Sequence, residues 1–155
     1  HDLKFNIGRS IRYHKARQNF FDLLDKFTNF ISILFGSSSV FVLSQQNTVL
    51  AMYLGLSLAF ISSLALVFGF STKARDHFDF SKQFSEQERR LIKGPLSDDL
   101  LNSVEDEIRS IESTEPNVLR TLNDLCWNDE AEAQGVPKKE LIEVPWYRRL
   151  FCHLF

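Results

Sequence analysis

Between Lys26 and Lys73 the chain has no charged side chain, which argues against a helix of a soluble protein's surface in that interval. Helices at the surface of soluble domains carry a polar, charged face opposite their apolar one. Here both faces are uncharged, and the stretch reads as two membrane crossings joined by a polar turn. Charged residues are also missing from within those crossings, which disfavours a proton-coupled transport mechanism. Enzymatic constellations are absent as well: there is no Gly-rich phosphate loop, no His-Glu-x-x-His, no paired-cysteine metal motif and no Gly-x-Ser-x-Gly elbow. The expectation is a protein without catalysis and without a cofactor. Cysteine is scarce; Cys126 and Cys152 fall in a region expected in a reducing compartment, so buried or interfacial thiols are expected rather than a disulfide. No proline interrupts the chain from Gly8 into the first crossing, so the juxtamembrane helix and the span are expected to form one rod.

The turn is placed by Ser44-Gln45-Gln46-Asn47-Thr48, whose polar side chains compete for backbone hydrogen bonds. On either side lie residues 27–43 and 49–72. At a helical rise of about 1.5 Å per residue these span roughly 25 Å and roughly 36 Å, against a hydrocarbon core of about 30 Å. Phe20, Phe21, Leu23 and Leu24 extend the shorter one. Helix is the expected form, because lipid offers no partner to an unpaired backbone group and two segments cannot close a barrel. A hairpin buried in a soluble bundle is disfavoured, since a chain of 155 residues has too little other apolar material to wrap both helices. Nor does the pair read as a cleavable signal peptide, because it begins well inside the chain and a second span follows directly.

Basic residues flank the pair on both outer ends and are missing from the turn. Lys4, Arg9, Arg12, Lys15, Arg17 and Lys26 precede it; Lys73, Arg75, Lys82, Arg89, Arg90 and Lys93 follow it. The positive-inside bias therefore puts both termini in the cytoplasm. The net charge of -2 conceals an asymmetry, because residues 94–145 hold 13 acidic side chains against Arg109, Arg120, Lys138 and Lys139. The expected fold class is an all-α membrane protein, a two-span hairpin extended into a cytoplasmic stalk with further cytoplasmic helices. Its segments are a juxtamembrane helix at 1–26, spans at 27–43 and 49–72 around a turn at 44–48, a stalk helix at 73–93, an acidic helical region at 94–143 and a tail at 144–155.

Gly94-Pro95 should end the stalk. Ser97 before Asp98 and Asp99 is a good N-cap, and Leu101, Val104, Ile108 and Ile111 give the following helix an apolar stripe that needs a partner. Thr114-Glu115-Pro116 marks the next start, with Val118, Leu119, Leu122, Leu125 and Cys126 as the apolar face, and Gly135 with Pro137 closes it. In the tail, Trp146, Tyr147, Arg148 and Arg149 precede a run of large apolar residues. Aromatic rings beside guanidinium groups suit a membrane interface, and so do Arg12, Arg17, Lys26, Lys73 and Arg75 beside the spans. Docking of the tail onto the cytoplasmic helices or onto another subunit is the alternative reading.

Within the spans, Ala51, Gly55, Ala59 and Ser63 recur every fourth residue as a smooth ridge that admits another helix, and Gly36 opens a small hydroxylated belt, Ser37, Ser38 and Ser39. Ser in a membrane helix commonly bonds its own preceding carbonyl and aids packing. The sharper expectation is that Asn29, Ser37, Ser38, Ser39, Ser57, Ser62 and Ser63 line a polar seam in an oligomer. His14 and His77 flank the spans and are placed to approach each other across the stalk, with Asp76 or Asp79 nearby. Two histidines make a poor metal signal, and ordinary pairing is the simpler expectation.

Arg12-Tyr13-His14-x-x-Arg17-x-x-Phe20-Phe21-x-x-Leu24-Asp25, Gly36-Ser37 and Leu66-Val67-Phe68-Gly69-Phe70-Ser71-x-Lys73-Ala74-Arg75-x-His77, with Phe84 beyond, resemble the SLATT-type two-span membrane proteins of bacteria and their prophage relatives. Leu119-Arg120-x-Leu122-x-x-Leu125-Cys126-x-Asn128, Glu130 and Trp146-Tyr147-Arg148 resemble the tails of that set. The resemblance implies an oligomeric effector of the bacterial inner membrane, breaching it in anti-phage conflict when a cytoplasmic sensor or signal-generating partner reports infection. Its implied partners are the lipid bilayer, further copies of the chain and that sensor; nucleic acid is not among them. Two other readings stay open, a non-conducting anchor or adaptor of the kind used in superinfection exclusion and a phage holin.

Overall fold

The computed structural model describes residues 2–95 and 97–154; the tail reading extends to Phe155, which with His1 and Leu96 lies outside the described residues. Among the described residues the chain is helical, with no strand. Its helices there are α1 (Asp2–Ser44), α2 (Thr48–Phe68), α3 (Phe70–Lys93), α4 (Asp98–Thr114), α5 (Arg120–Ala133) and α6 (Trp146–Leu150), with a 3-10 turn at Lys138–Glu140. The expected rod is present: α1 runs unbroken for 43 residues. The chain divides into two compact units, a bundle made of residues 1–18 and 76–155 and a hairpin made of residues 19–75.

The bundle core is assembled from three apolar stripes at helical spacing. Ile7 and Ile11 come from α1, Phe84 from α3, and Val104, Ile108 and Ile111 from α4, with Leu3, Phe80, Leu91 and Leu100 packed around them. The α4 stripe thus finds its partner within the same chain. Ser97 caps α4 as its sequence suggests, its side chain accepting from the Leu100 amide at 3.2 Å. On α3, Arg90 donates to Gln87 Oε1 at 2.8 Å and to Ser103 Oγ of α4 at 3.0 Å, which ties the two helices together at their polar edge.

A second cluster joins Tyr13, Leu122, Cys126 and Cys152, flanked by Ala16, Leu119 and Leu125. Here α5 begins later than the Thr114-Glu115-Pro116 signal suggests. Proline holds the residue before it extended, and Glu115 sits at φ -69°, ψ 144°, so the chain runs open as far as Leu119. Leu119 has no capping side chain, and the Tyr13 hydroxyl supplies the cap, accepting its amide at 3.0 Å. Val118, expected on the apolar face, is 49% exposed. After α5, Asn128 holds the returning chain with both ends of its amide, donating to the Ile142 carbonyl and accepting from the Ile142 amide, each at 2.8 Å.

The hairpin turns at Gln45-Gln46-Asn47, with Gln46 in the left-handed region at φ 62° and Asn47 capping α2 through the Leu50 amide. Its helices pair in one antiparallel register. Ser39 Oγ donates to the Ala51 carbonyl at 3.0 Å, the Gly36 Cα faces Leu58, Ser32 and Ser62 share a hydroxyl contact at 3.4 Å, and Lys73 lies over the Phe21 ring at 5.6 Å. Gly69, at φ +59°, closes α2 by donating its amide to Ala65 and breaks the α2–α3 line that the sequence presents as continuous. Both α1 and the Thr48–Lys93 stretch are long and apolar enough to cross a membrane. A core helix of a soluble protein would be mostly buried, yet almost nothing of either apolar stretch is. Leu66 and Val67 are 83% and 80% exposed.

Candidate functional site

Two regions carry chemistry, and the first is polar and inside the bundle. His14 on α1 and His77 on α3 are almost fully buried, and their Nδ1 atoms stand 2.9 Å apart. The third member is Glu115, in the open stretch between α4 and α5, whose Oε1 lies 3.1 Å from His14 Nε2. Asp76 and Asp79 do not complete this cluster; both are exposed, because residues one before and two after His77 cannot share its helix face. The carboxylate of Glu115 fixes Nε2 of His14 as a protonated nitrogen, so a neutral His14 accepts at Nδ1 from the Nδ1–H of His77. Aromatic rings close the cluster in: Phe80 and Phe84 stack on His14 at 5.1 Å and 5.6 Å, and Tyr13 meets both histidines edge-on.

Burial pushes His77 down to about 4, with the neighbouring His14 and Arg17 adding to the effect. In the unfolded chain a histidine titrates at about 6.5, so between these two values the unfolded state binds more protons than the folded one. Stability is therefore fully present above the unfolded value, falls as pH drops through 6.5 and levels off below 4. The bundle is expected to be about 1–2 kcal/mol less stable at pH 5 than at pH 7 on account of this group. Denaturant titrations of wild type and His77→Gln at both pH values check it, and an unchanged pH difference in the variant would assign the effect elsewhere.

A cavity of about 300 Å³ opens beside the cluster, walled by Arg9, Tyr13, His14, Glu112, Glu115 and Asn123. It offers one cationic group against two carboxylates. Among the described residues no group of three or more His, Cys, Asp or Glu side chains is arranged to hold a metal ion. Thiol chemistry is not favoured either: Cys126 and Cys152 are buried and unbridged, and burial, with Asp129 beside it, pushes Cys126 up to about 12. A thiol so shifted stays protonated and inert.

Arg12 and Arg17, singled out as membrane-interface residues, both make bonds inside the bundle. Arg12 Nε pairs with Glu130 at 2.7 Å, in a spot where Gly8 leaves the only room for that carboxylate, since a Cβ there would sit 2.5 Å from Glu130 Oε1. Arg17 donates to the His153 carbonyl at 2.7 Å. Protein-family models, curated proteins and solved structures give no match to this chain. Some of the residues quoted for the sequence resemblance lie in the bundle, and others, Gly36, Ser37 and Leu66 to Arg75 among them, lie in the hairpin. Arg12, Tyr13, His14, Arg17, His77, Phe84, Leu122, Cys126, Asn128 and Glu130 all build the interior of the bundle or tie its segments together.

The second region is the hairpin. Its small-residue ridge is used first within the chain: Ala51 is 7% exposed, and Gly55 faces Ser39, whereas Ala59 and Ser63 stay exposed. The hydroxyls divide in the same way. Ser39 and Ser62 turn into the hairpin seam together with Ser32, which sequence spacing did not single out. Ser37 and Ser63 bond back to the carbonyls of Ile33 and Ala59, as hydroxyls in apolar helices commonly do. Asn29 donates to Asp25 one turn before it. Ser38 and Ser57 are half-buried. Lys26 and Arg75 are exposed beside the apolar stretch, as is Lys73 over Phe21.

Proposed function

We propose that this chain is a two-span protein of the bacterial inner membrane whose hairpins associate, breach the bilayer and are held in check by the cytoplasmic bundle. The observation that carries the reading is the hairpin: an antiparallel pair, uncharged from Phe27 to Thr72 and with its apolar side chains turned outward, which leaves the bundle at residue 18 and returns to it at residue 76. Both termini then lie on one side, the cytoplasmic side by the positive-inside bias. The exposed half of the ridge, Ala59 and Ser63, is the surface through which copies meet. The likeness to SLATT-type proteins supports a role in anti-phage conflict, with a sensor or signal-generating protein as trigger and the His14–His77–Glu115 cluster and its cavity as the part of the bundle that such a signal would reach.

Expression in bacteria with a voltage-sensitive dye tests this. Wild type is expected to depolarise the membrane, and Ala59→Leu with Ser63→Leu to abolish depolarisation while membrane insertion persists. These positions separate self-association from hairpin packing, which a bulky residue at Gly55 would not. A silent membrane in cells that also express the genetic neighbours of the protein would remove the breaching role. One observation favours a second reading, a non-conducting anchor that recruits a partner: the seam hydroxyls of Ser32, Ser39 and Ser62 are already satisfied within one hairpin and have no need of a water-filled path.

A further inference from the structure

The tail from Val144 onward carries an apolar surface of its own. It is attached to the bundle by two buried side chains, Val144 and Cys152, each 8% exposed, and by the bond from Arg17 to the His153 carbonyl. Arg149 Nε donates to the Val144 carbonyl at 3.0 Å and fixes the entry into α6. Docking onto the bundle is thus one of the tail's two expected uses, and the structure contains it. The remainder of the tail points outward. Trp146 is 77% exposed, Leu150 70% and Leu154 61%, at successive four-residue steps, with Tyr147 and Phe151 beside them.

That much exposed aromatic and aliphatic surface, on a segment held at both ends, requires a cover. Exposed apolar clusters mark interaction sites. Three features identify it. Arg17, to which the tail is bonded, stands on the same unbroken helix as the first apolar stretch, ten residues before Phe27. Arg148 and Arg149 are exposed, and among the described residues neither forms an ion pair with a carboxylate. The composition, one Trp, one Tyr, two Arg and a short apolar run, is that of segments lying flat at the boundary of headgroups and acyl chains.

We infer that α6 and the turn after it lie in the headgroup region of the cytoplasmic leaflet, with Trp146, Leu150 and Leu154 in the acyl boundary and Arg148 and Arg149 on anionic lipid phosphates. The tail then clamps the base of α1 to the bilayer surface. This rests on the reading of the hairpin as membrane-inserted but is independent of whether it conducts.

The test uses the full chain in bilayers that contain anionic lipid brominated near the headgroup end of the acyl chain. Trp127→Phe leaves Trp146 as the sole indole, and Trp146→Phe leaves Trp127, which packs on Phe5 within the bundle at 5.6 Å. Phe60→Trp in a background lacking both reports the hairpin. Trp146 is expected to be quenched at least about twofold more than Trp127, with the difference shrinking when Arg148 and Arg149 are changed to Gln, as interfacial binding requires. Equal quenching of the two, while Phe60→Trp is strongly quenched, overturns the tail inference alone. Trp146 shielded from both bromolipid and aqueous acrylamide overturns it in favour of a second copy or a protein partner. An unquenched Phe60→Trp overturns the membrane reading of the hairpin, and the tail inference falls with it.

Discussion

Phe84→Ala is expected to destabilise the bundle by about 3–5 kcal/mol, the usual cost of emptying a phenylalanine site in a packed core. Phe84 is 1% exposed and belongs to the cluster that joins Ile7 and Ile11 of α1 to Val104, Ile108 and Ile111 of α4. Its ring also stacks on His14 at 5.6 Å with an interplanar angle of 17°. Truncation therefore opens a void and removes the wall that keeps water from the histidine pair. Because domains are typically stable by only about 5–15 kcal/mol, the loss is a large share of what holds the bundle together. Phe84→Leu, which keeps most of the volume, should lose much less. Guanidinium unfolding of detergent-solubilised protein, followed by Trp127 emission, measures both. A loss below about 1 kcal/mol for the alanine variant would show that the three helices are not joined through this ring.

Leu56→Lys carries the second large effect, and its sign separates two physical pictures of the hairpin. Leu56 lies near the middle of α2 and is 60% exposed. If water covers that face, replacing leucine with lysine costs nothing and improves solubility. If lipid covers it, the charge sits near the bilayer centre, where the change costs about 3–4 kcal/mol on insertion scales. The expectation is that the variant inserts poorly, is extracted by alkaline carbonate where wild type is not, and is cleared by proteolysis. Full retention in the carbonate-resistant membrane fraction would mean that the exposed apolar surface meets something other than acyl chains.

Much of this arrangement is legible in the chain because it depends on local signals. The uninterrupted α1, the turn at Gln45-Gln46-Asn47, the Ser97 cap and the stripe of Val104, Ile108 and Ile111 each follow from periodicity, capping chemistry or the absence of a breaker within a few residues. The left-handed Gly69 also had a local signal, a glycine just past an apolar helix, but no polar residue follows at once to mark the end. What spacing cannot reveal is the identity of a distant partner. The repeat of Ala51 and Gly55 shows that some helix can come close, not that α1 of the same hairpin does so. The approach of His14 to His77 follows from a hairpin topology, while Glu115 reaches His14 across 101 residues and only through the extended chain that Pro116 imposes. In the same way Arg12 and Arg17, basic and ahead of an apolar stretch, find Glu130 and the His153 carbonyl through tertiary packing alone.

The bundle draws its first helix from one end of the chain and its remaining helices from the other, and this has a consequence for synthesis. Ile7, Ile11 and His14 leave the ribosome long before the residues that cover them: His77 follows His14 by 63 positions, and the Leu119 amide that Tyr13 caps comes 106 positions later. Until then the amino-terminal stripe has no native shelter. The apolar hairpin is made in the interval, and a chain that stops after the hairpin leaves that stripe bare for chaperones and proteases.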